Sequence, residues 1–168
     1  MKKLFFVTSL LAAFVLGMAT SRVLSPGAAA NAASVNPSMG YTIHIDAQKH
    51  FGDAHPDEIA HHWCKPGSGG TIQCQIYDSD SENARMVAFE SIVSPATYKS
   101  FTPQEQAYWH YHKTEIPKVN ASMPDVTPAE AQKMVAQISD TYGKIWVLYD
   151  PMTTNNMPIG EPTITVLK

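Results

Sequence analysis

Ile72-Gln73-Cys74-Gln75-Ile76-Tyr77 and Arg85-Met86-Val87-Ala88-Phe89-Glu90-Ser91-Ile92-Val93, separated by the polar run Asp78-Ser79-Asp80-Ser81-Glu82-Asn83, decide the fold class. Two β-favouring runs flank a loop of turn-forming residues, which predicts an antiparallel hairpin. Just upstream, Cys64-Lys65-Pro66-Gly67-Ser68-Gly69-Gly70-Thr71 carries turn chemistry that folds the chain back and brings Cys64 near Cys74. Before it, Pro56 to Trp63 reads as a short helix, with Pro at a first helical position and Asp57 and Glu58 where the helix dipole favours acids. Tyr41 to Ile45 alternates and is read as a strand.

Downstream of the hairpin, Thr102-Pro103-Gln104-Glu105 is a capping box that starts a short helix to about Tyr108. It leads into Trp109-His110-Tyr111-His112-Lys113-Thr114-Glu115, which Pro117 ends. Thr127-Pro128-Ala129-Glu130 repeats the start signal, and Ala131, Met134, Val135, Ile138 and Tyr142 keep helical spacing after it. Gly143 is placed as the cap that ends this helix. Ile145 to Tyr149 and Thr163 to Leu167 are read as strands. Strands interrupted by helices, with at least one hairpin, predict a single α+β domain over residues 41–168: a largely antiparallel sheet with two or three short helices packed on it.

The chain of 168 residues has room for one such domain after a leader. Lys2 and Lys3, the apolar run Leu4 to Met18 and the small residues ending near Ala30-Asn31-Ala32 form the three-part pattern of a signal peptide over 1–32, with a linker over 33–40. The expected location is therefore periplasmic or secreted. Arg22 and Pro26 lengthen the region after the apolar run, so an uncleaved anchor is the alternative. No transmembrane segment is expected in the mature chain. A net charge of −3 with no basic block argues against a nucleic-acid partner. No Gly-x-Ser-x-Gly elbow, phosphate loop or dinucleotide motif is present, so serine hydrolysis and nucleotide chemistry have no support.

The chemistry-bearing residues are histidines. In an extended segment, side chains two apart share a face, so His110 and His112 form a bidentate metal platform. Glu90 sits in a strand centre, where an unpaired carboxylate is costly, and needs a metal, Arg85 or a histidine as partner. His62, His110, His112 and Glu90 together match the ligand sets of zinc and non-haem iron sites, with Glu90 as ligand or general base. The competing reading is a hydrogen-bonded polar core. Adjacent His61 and His62 point apart on a helix, and His62 is preferred; nothing in the pattern places His44 or His50. On an ideal strand Glu115 faces away from His110. Cys64 and Cys74 have two readings: a disulfide, favoured by an oxidising compartment, or thiolate ligation of a metal. Trp63, Trp109, Trp146, Tyr77 and Tyr149 read as core, or as the lining of a pocket for a small-molecule or lipid-like ligand.

Several short motifs appear in one order: His61-His62-Trp63-Cys64, Gln73-Cys74, Tyr77-Asp78-Ser79, Asn83-Ala84-Arg85, Glu90, Trp109-His110-x-His112 and Tyr142-Gly143-Lys144-x-Trp146. This ordered set resembles the oil-body-associated protein family, a domain of unknown function, from about Tyr41 to the C-terminus. The likeness suggests an exported bacterial member. Plant members often carry a His after the Trp matching Trp146, where this chain has Val147. The family implies no settled activity. Two functions are therefore expected: a His-rich centre for a divalent metal, zinc or iron, activating water or a small substrate, or a non-catalytic envelope protein for apolar or lipid-like ligands.

Overall fold

A computed structural model describes residues 38–51 and 57–165, which fall in one compact unit. The leader, the linker up to residue 37 and the ends of the expected first helix and last strand lie outside the described residues. The elements run β1 (Ile43–Gln48), β2 (Ile59–Pro66), β3 (Ile72–Tyr77), β4 (Met86–Val93), α1 (Pro95–Lys99), α2 (Pro103–Gln106), β5 (His110–Tyr111), α3 (His112–Glu115), α4 (Pro128–Ser139), β6 (Tyr142–Val147) and β7 (Thr163–Thr165). The fold is α+β: an antiparallel sheet in the order β1-β2-β3-β4-β6-β5, with β7 also paired to β6.

The hairpin forms as its sequence dictates, β3 pairing with β4 through a register shift at Ile76/Tyr77. The Gly-rich turn also works as read. It closes a second hairpin in which Cys64 and Cys74 sit directly opposite each other and are joined by a disulfide. Thiolate ligation of a metal by this pair is thereby overturned. Both cysteines are buried against Ile92, with Ile43, Ile45 and Ile72 packed around them. Replacing Cys64 and Cys74 together by Ala should lower stability by about 2–4 kcal/mol, read as a fall in the urea midpoint.

Residues 59–63 are not helical. They belong to β2, held between β1 and β3 by full ladders on both sides. The Pro and acids before them mimic a helix start, but Ala60, His62 and Cys64 are buried while Ile59 is exposed and His61, Trp63 and Lys65 are half-buried, which is the strand period. Gly143 is no helix cap either. α4 stops at Ser139, and Gly143 lies inside β6. The capping signals at Thr102 and Thr127 hold: each threonine hydroxyl accepts the backbone N–H of the glutamate three residues on. One further helix, α1, is capped in the same way by Ser94, which accepts from Thr97 N.

Register rows define the faces. Ile43, Cys64, Cys74, Glu90 and Ile145 are cross-strand neighbours, as are Ile45, His62, Ile76, Ala88 and Val147. This inner face carries the core, in which Phe51, Ile76, Ala88, Ile145 and Val147 pack with Tyr149. The opposite face carries the row His44, Trp63, Gln75, Phe89 and Trp146. Val147 is a buried apolar residue opposite Ala88.

Candidate metal centre

Glu90 occupies the middle of β4 on the inner face and is 4% exposed. A carboxylate so placed must find compensation. Arg85 does not provide it, since its guanidinium is engaged by Asp78. The partners are His110 and His112, whose Nε2 atoms lie 3.3 and 3.2 Å from the same oxygen, Glu90 Oε1. All three residues are buried.

The chain delivers the two rings by a bend rather than by a strand. β5 ends at Tyr111, and His112 opens α3, so the expected extended run through Thr114 is overturned. His110 is registered opposite Gly143 on β6. His112 donates its backbone N–H to Thr141 O at 3.1 Å. The ring centroids stand 5.0 Å apart, edge to face. The bend also turns Glu115 into the same cavity, where a strand would have pointed it away.

The tautomer of His112 follows from its surroundings. Its Nδ1 lies 2.8 Å from Thr141 Oγ1, and that hydroxyl spends its only proton on Ile138 O at 2.5 Å. Nδ1 must therefore donate. A neutral His112 then presents its Nε2 lone pair to a carboxylate oxygen, which is repulsive unless a second proton or a cation intervenes. Burial alone would push the Glu90 carboxyl up, yet the hydrogen bonds from His110 and His112 and their charge hold it well below the usual carboxylate range. His110 Nδ1 is buried with no hydrogen-bond partner among the described residues.

Space for these groups comes from Gly143. A Cβ there would lie 2.2 Å from Glu90 Oε1 and 2.6 Å from His110 Nε2. The sequence assigned this glycine to a helix end and so missed its part in the site. The centre opens on a cavity of about 60 Å³ lined by aliphatic side chains, among them Ile45, Ile92, Ile116, Val119, Val135 and Ile138. None of the five aromatic residues read as a pocket lining reaches it.

His62 lines this cavity but is not in the group whose donor atoms lie within 4.8 Å of one another. Its Nδ1 donates to Ala60 O at 3.0 Å. His50 also lines the cavity, with Nδ1 donating to Gln48 O at 2.9 Å. Burial pushes both imidazoles down, so each is a neutral ring beside the centre. His61, next to His62 on a strand, faces the other side of the sheet. Three donors, one carboxylate and two imidazoles, form the protein share of a catalytic type of zinc site, which keeps a further position open. Bonds of about 2.0–2.1 Å to tetrahedral corners would set donor atoms roughly 3.3 Å apart, close to the two distances from the imidazoles to Glu90 Oε1.

A family model described as "Protein of unknown function (DUF1264)" matches residues 35–167. Among curated proteins, the chain is 31% identical to oil body-associated protein 2B of Zea mays over 68% of its length and 46% of the relative's. It is 33% identical to oil body-associated protein 2B of Arabidopsis thaliana, over 56% of this chain and 38% of that one. It is 32% identical to oil body-associated protein 1B of the same plant, over 62% and 44%. The chain thus spans less than half the length of these relatives. No solved structure matches.

Proposed function

The chain belongs to the family described as protein of unknown function DUF1264, and from that premise we propose that it is a metal-binding protein centred on Glu90, His110 and His112. The observation that carries this reading is the His112 ring. Its Nδ1 proton is committed to Thr141, which leaves Nε2 facing Glu90 Oε1 at 3.2 Å. A divalent ion, zinc or iron by donor type, satisfies both groups and His110 at once. Its open position faces the aliphatic cavity, where the metal would polarise a bound water or a small oxygen-bearing substrate. His50, with its Nδ1 proton given to Gln48 O, offers its Nε2 as a proton acceptor on the cavity wall, beside Glu90 itself.

A second reading has its own support. The cavity is mostly aliphatic, and the relatives are named for oil bodies, which favours a non-catalytic site for the apolar part of a lipid-like ligand. No helix among the described residues is long and apolar enough to cross a membrane. Residues 1–32 are proposed as an export leader to the periplasm or medium, and the Cys64–Cys74 disulfide supports an oxidising destination.

Elemental analysis of protein purified without a His tag or chelator, followed by zinc titration, tests the metal reading. The expected result is that His110→Ala/His112→Ala loses one equivalent of metal relative to the wild type, with the fold intact by circular dichroism. An unchanged metal content in that variant sinks the reading. So does a wild-type chain whose melting responds to fatty-acid or phospholipid micelles and never to metals.

A further inference from the structure

On the outer face of the sheet, His44 and Asp46 of β1 lie two residues apart and so point the same way. His61 of β2 is registered directly opposite Asp46. Asp80 reaches the same spot from the loop between β3 and β4. The contacts form a closed ring. His44 Nε2 is 3.0 Å from Asp46 Oδ1 and 3.1 Å from Asp80 Oδ1, and His61 Nδ1 is 2.8 Å from Asp46 Oδ1 and 2.9 Å from Asp80 Oδ2.

These are hydrogen-bonding distances without hydrogen-bonding directions. His44 Nε2, Asp46 Oδ1 and His61 Nδ1 are all buried and none has a hydrogen-bond partner among the described residues. Nitrogens and carboxylate oxygens packed this closely, but not aimed along N–H bonds, are arranged to share something at their centre. His44 is 5% exposed, so its unpartnered nitrogen carries a real desolvation cost. Its other nitrogen is accounted for: Nδ1 lies 3.1 Å from Asp125 Oδ2, and a carboxylate can only accept. That fixes the Nδ1–H tautomer and turns the Nε2 lone pair toward two carboxylates. A carboxylate behind a histidine is the outer-shell arrangement of metal-ligating imidazoles. The Trp63 ring stacks on His44 at 4.2 Å between centroids and locks its orientation. Asp125 is steadied in turn, because its loop is tied to β1 by paired backbone bonds between Asp46 and Ser122.

We infer that His44, Asp46, His61 and Asp80 form a second metal site, for a divalent first-row ion of the zinc type, on the face of the sheet opposite the Glu90 centre. Four protein donors, two imidazoles and two carboxylates, can complete a tetrahedral shell, and four protein ligands with no open position is the coordination of a structural rather than a catalytic site. The two carboxylates balance the charge of a divalent ion. Asp80 is 42% exposed by side chain, so an ion enters from solvent on that side. Binding clamps the β3–β4 loop against β1 and β2, and the site neither needs nor touches the inner cavity.

The test titrates the full chain, stripped of metal by chelator and dialysed, with zinc by calorimetry and with cobalt by visible absorption. Asp80→Asn, a change at an accessible loop position, should lower zinc affinity at this site at least tenfold. Asp80→Asn with His61→Gln should remove one equivalent and, in a His110→Ala/His112→Ala background, abolish the four-coordinate cobalt spectrum. Both effects should persist in a His110→Ala/His112→Ala background, where the Glu90 centre is already silent. Zinc should slow amide exchange over residues 78–85 in the wild type and not in the Asp80 variant. The inference is overturned if the folded wild type binds no zinc outside the Glu90 centre, or if the Asp80 and His61 changes leave stoichiometry and the cobalt spectrum as they were.

Discussion

Glu90→Gln should cut metal-dependent stabilisation by the inner centre to about a third or less while leaving the metal-free protein close to wild-type stability. The substitution keeps the shape of the side chain and removes the charge that His110 and His112 face. Loss of an anionic ligand should weaken zinc binding by more than about a hundredfold, since even outer-shell changes commonly cost ten- to a hundredfold. With free metal at about a thousand times Kd, binding stabilises the wild type by roughly 4 kcal/mol, and a hundredfold weaker site retains only about 1.4 kcal/mol. The difference is easily read as a melting shift. The rival account, a buried ion pair between Glu90 and imidazolium rings, predicts the reverse pattern. Removing one partner of such a pair costs about 3–5 kcal/mol with or without metal. Zinc affinity should also fall as the pH is lowered, because imidazole and carboxylate ligands must be deprotonated to bind a metal.

Local signals carried much of the fold. The Gly-rich turn after Cys64 and the polar loop after Tyr77 announced two hairpins, and the Thr-Pro-x-Glu pattern placed the starts of α2 and α4. What failed was decided at long range. Residues 59–63 carry a helix-start signature, but their ladders to β1 and β3 outweigh a local preference. That correction changes the chemistry too. On a helix His61 and His62 would have pointed about 100° apart, whereas on a strand they serve opposite faces, one at the outer cluster and one in the inner cavity.

The inner centre was partly legible for the same reason. A carboxylate in the middle of an apolar strand signals an obligatory partner, and His110-x-His112 was one of two histidine clusters that could supply it, beside His61-His62. The pairing is in place although the strand geometry expected to produce it stops at Tyr111. Asp80 stood in a run of polar loop residues, where no one-dimensional pattern separates a ligand from a solvated acid. Its role emerges only when β2 is a strand and His61 points outward.

Gly143→Ala should be the most damaging glycine-to-alanine change among the described residues. Glycine in a strand interior costs roughly 0.5–1 kcal/mol relative to Ala, so at an ordinary position the exchange would stabilise. Gly143 shows no positive φ that would demand glycine, and the reason for it is space. Its Cβ would meet Glu90 Oε1 at 2.2 Å and the His110 ring at 2.6 and 2.7 Å. An exposed carboxylate could swing aside, but Glu90 is buried between β3 and β6 and held by two imidazoles, while His110 is fixed by its register opposite Gly143. Overpacking of this kind costs about 1–3 kcal/mol, which exceeds the strand gain and sets the sign. The expected outcome is a net loss of stability together with loss of inner-centre metal, measured by urea unfolding and zinc titration of the same variant. A double-mutant cycle separates crowding from chemistry. Adding Glu90→Ala to Gly143→Ala removes the clash with the carboxylate, so the two changes should be less damaging together than their separate effects predict, yet zinc binding should not return. Additive stability effects would mean that Gly143 answers to the backbone and not to the centre it adjoins.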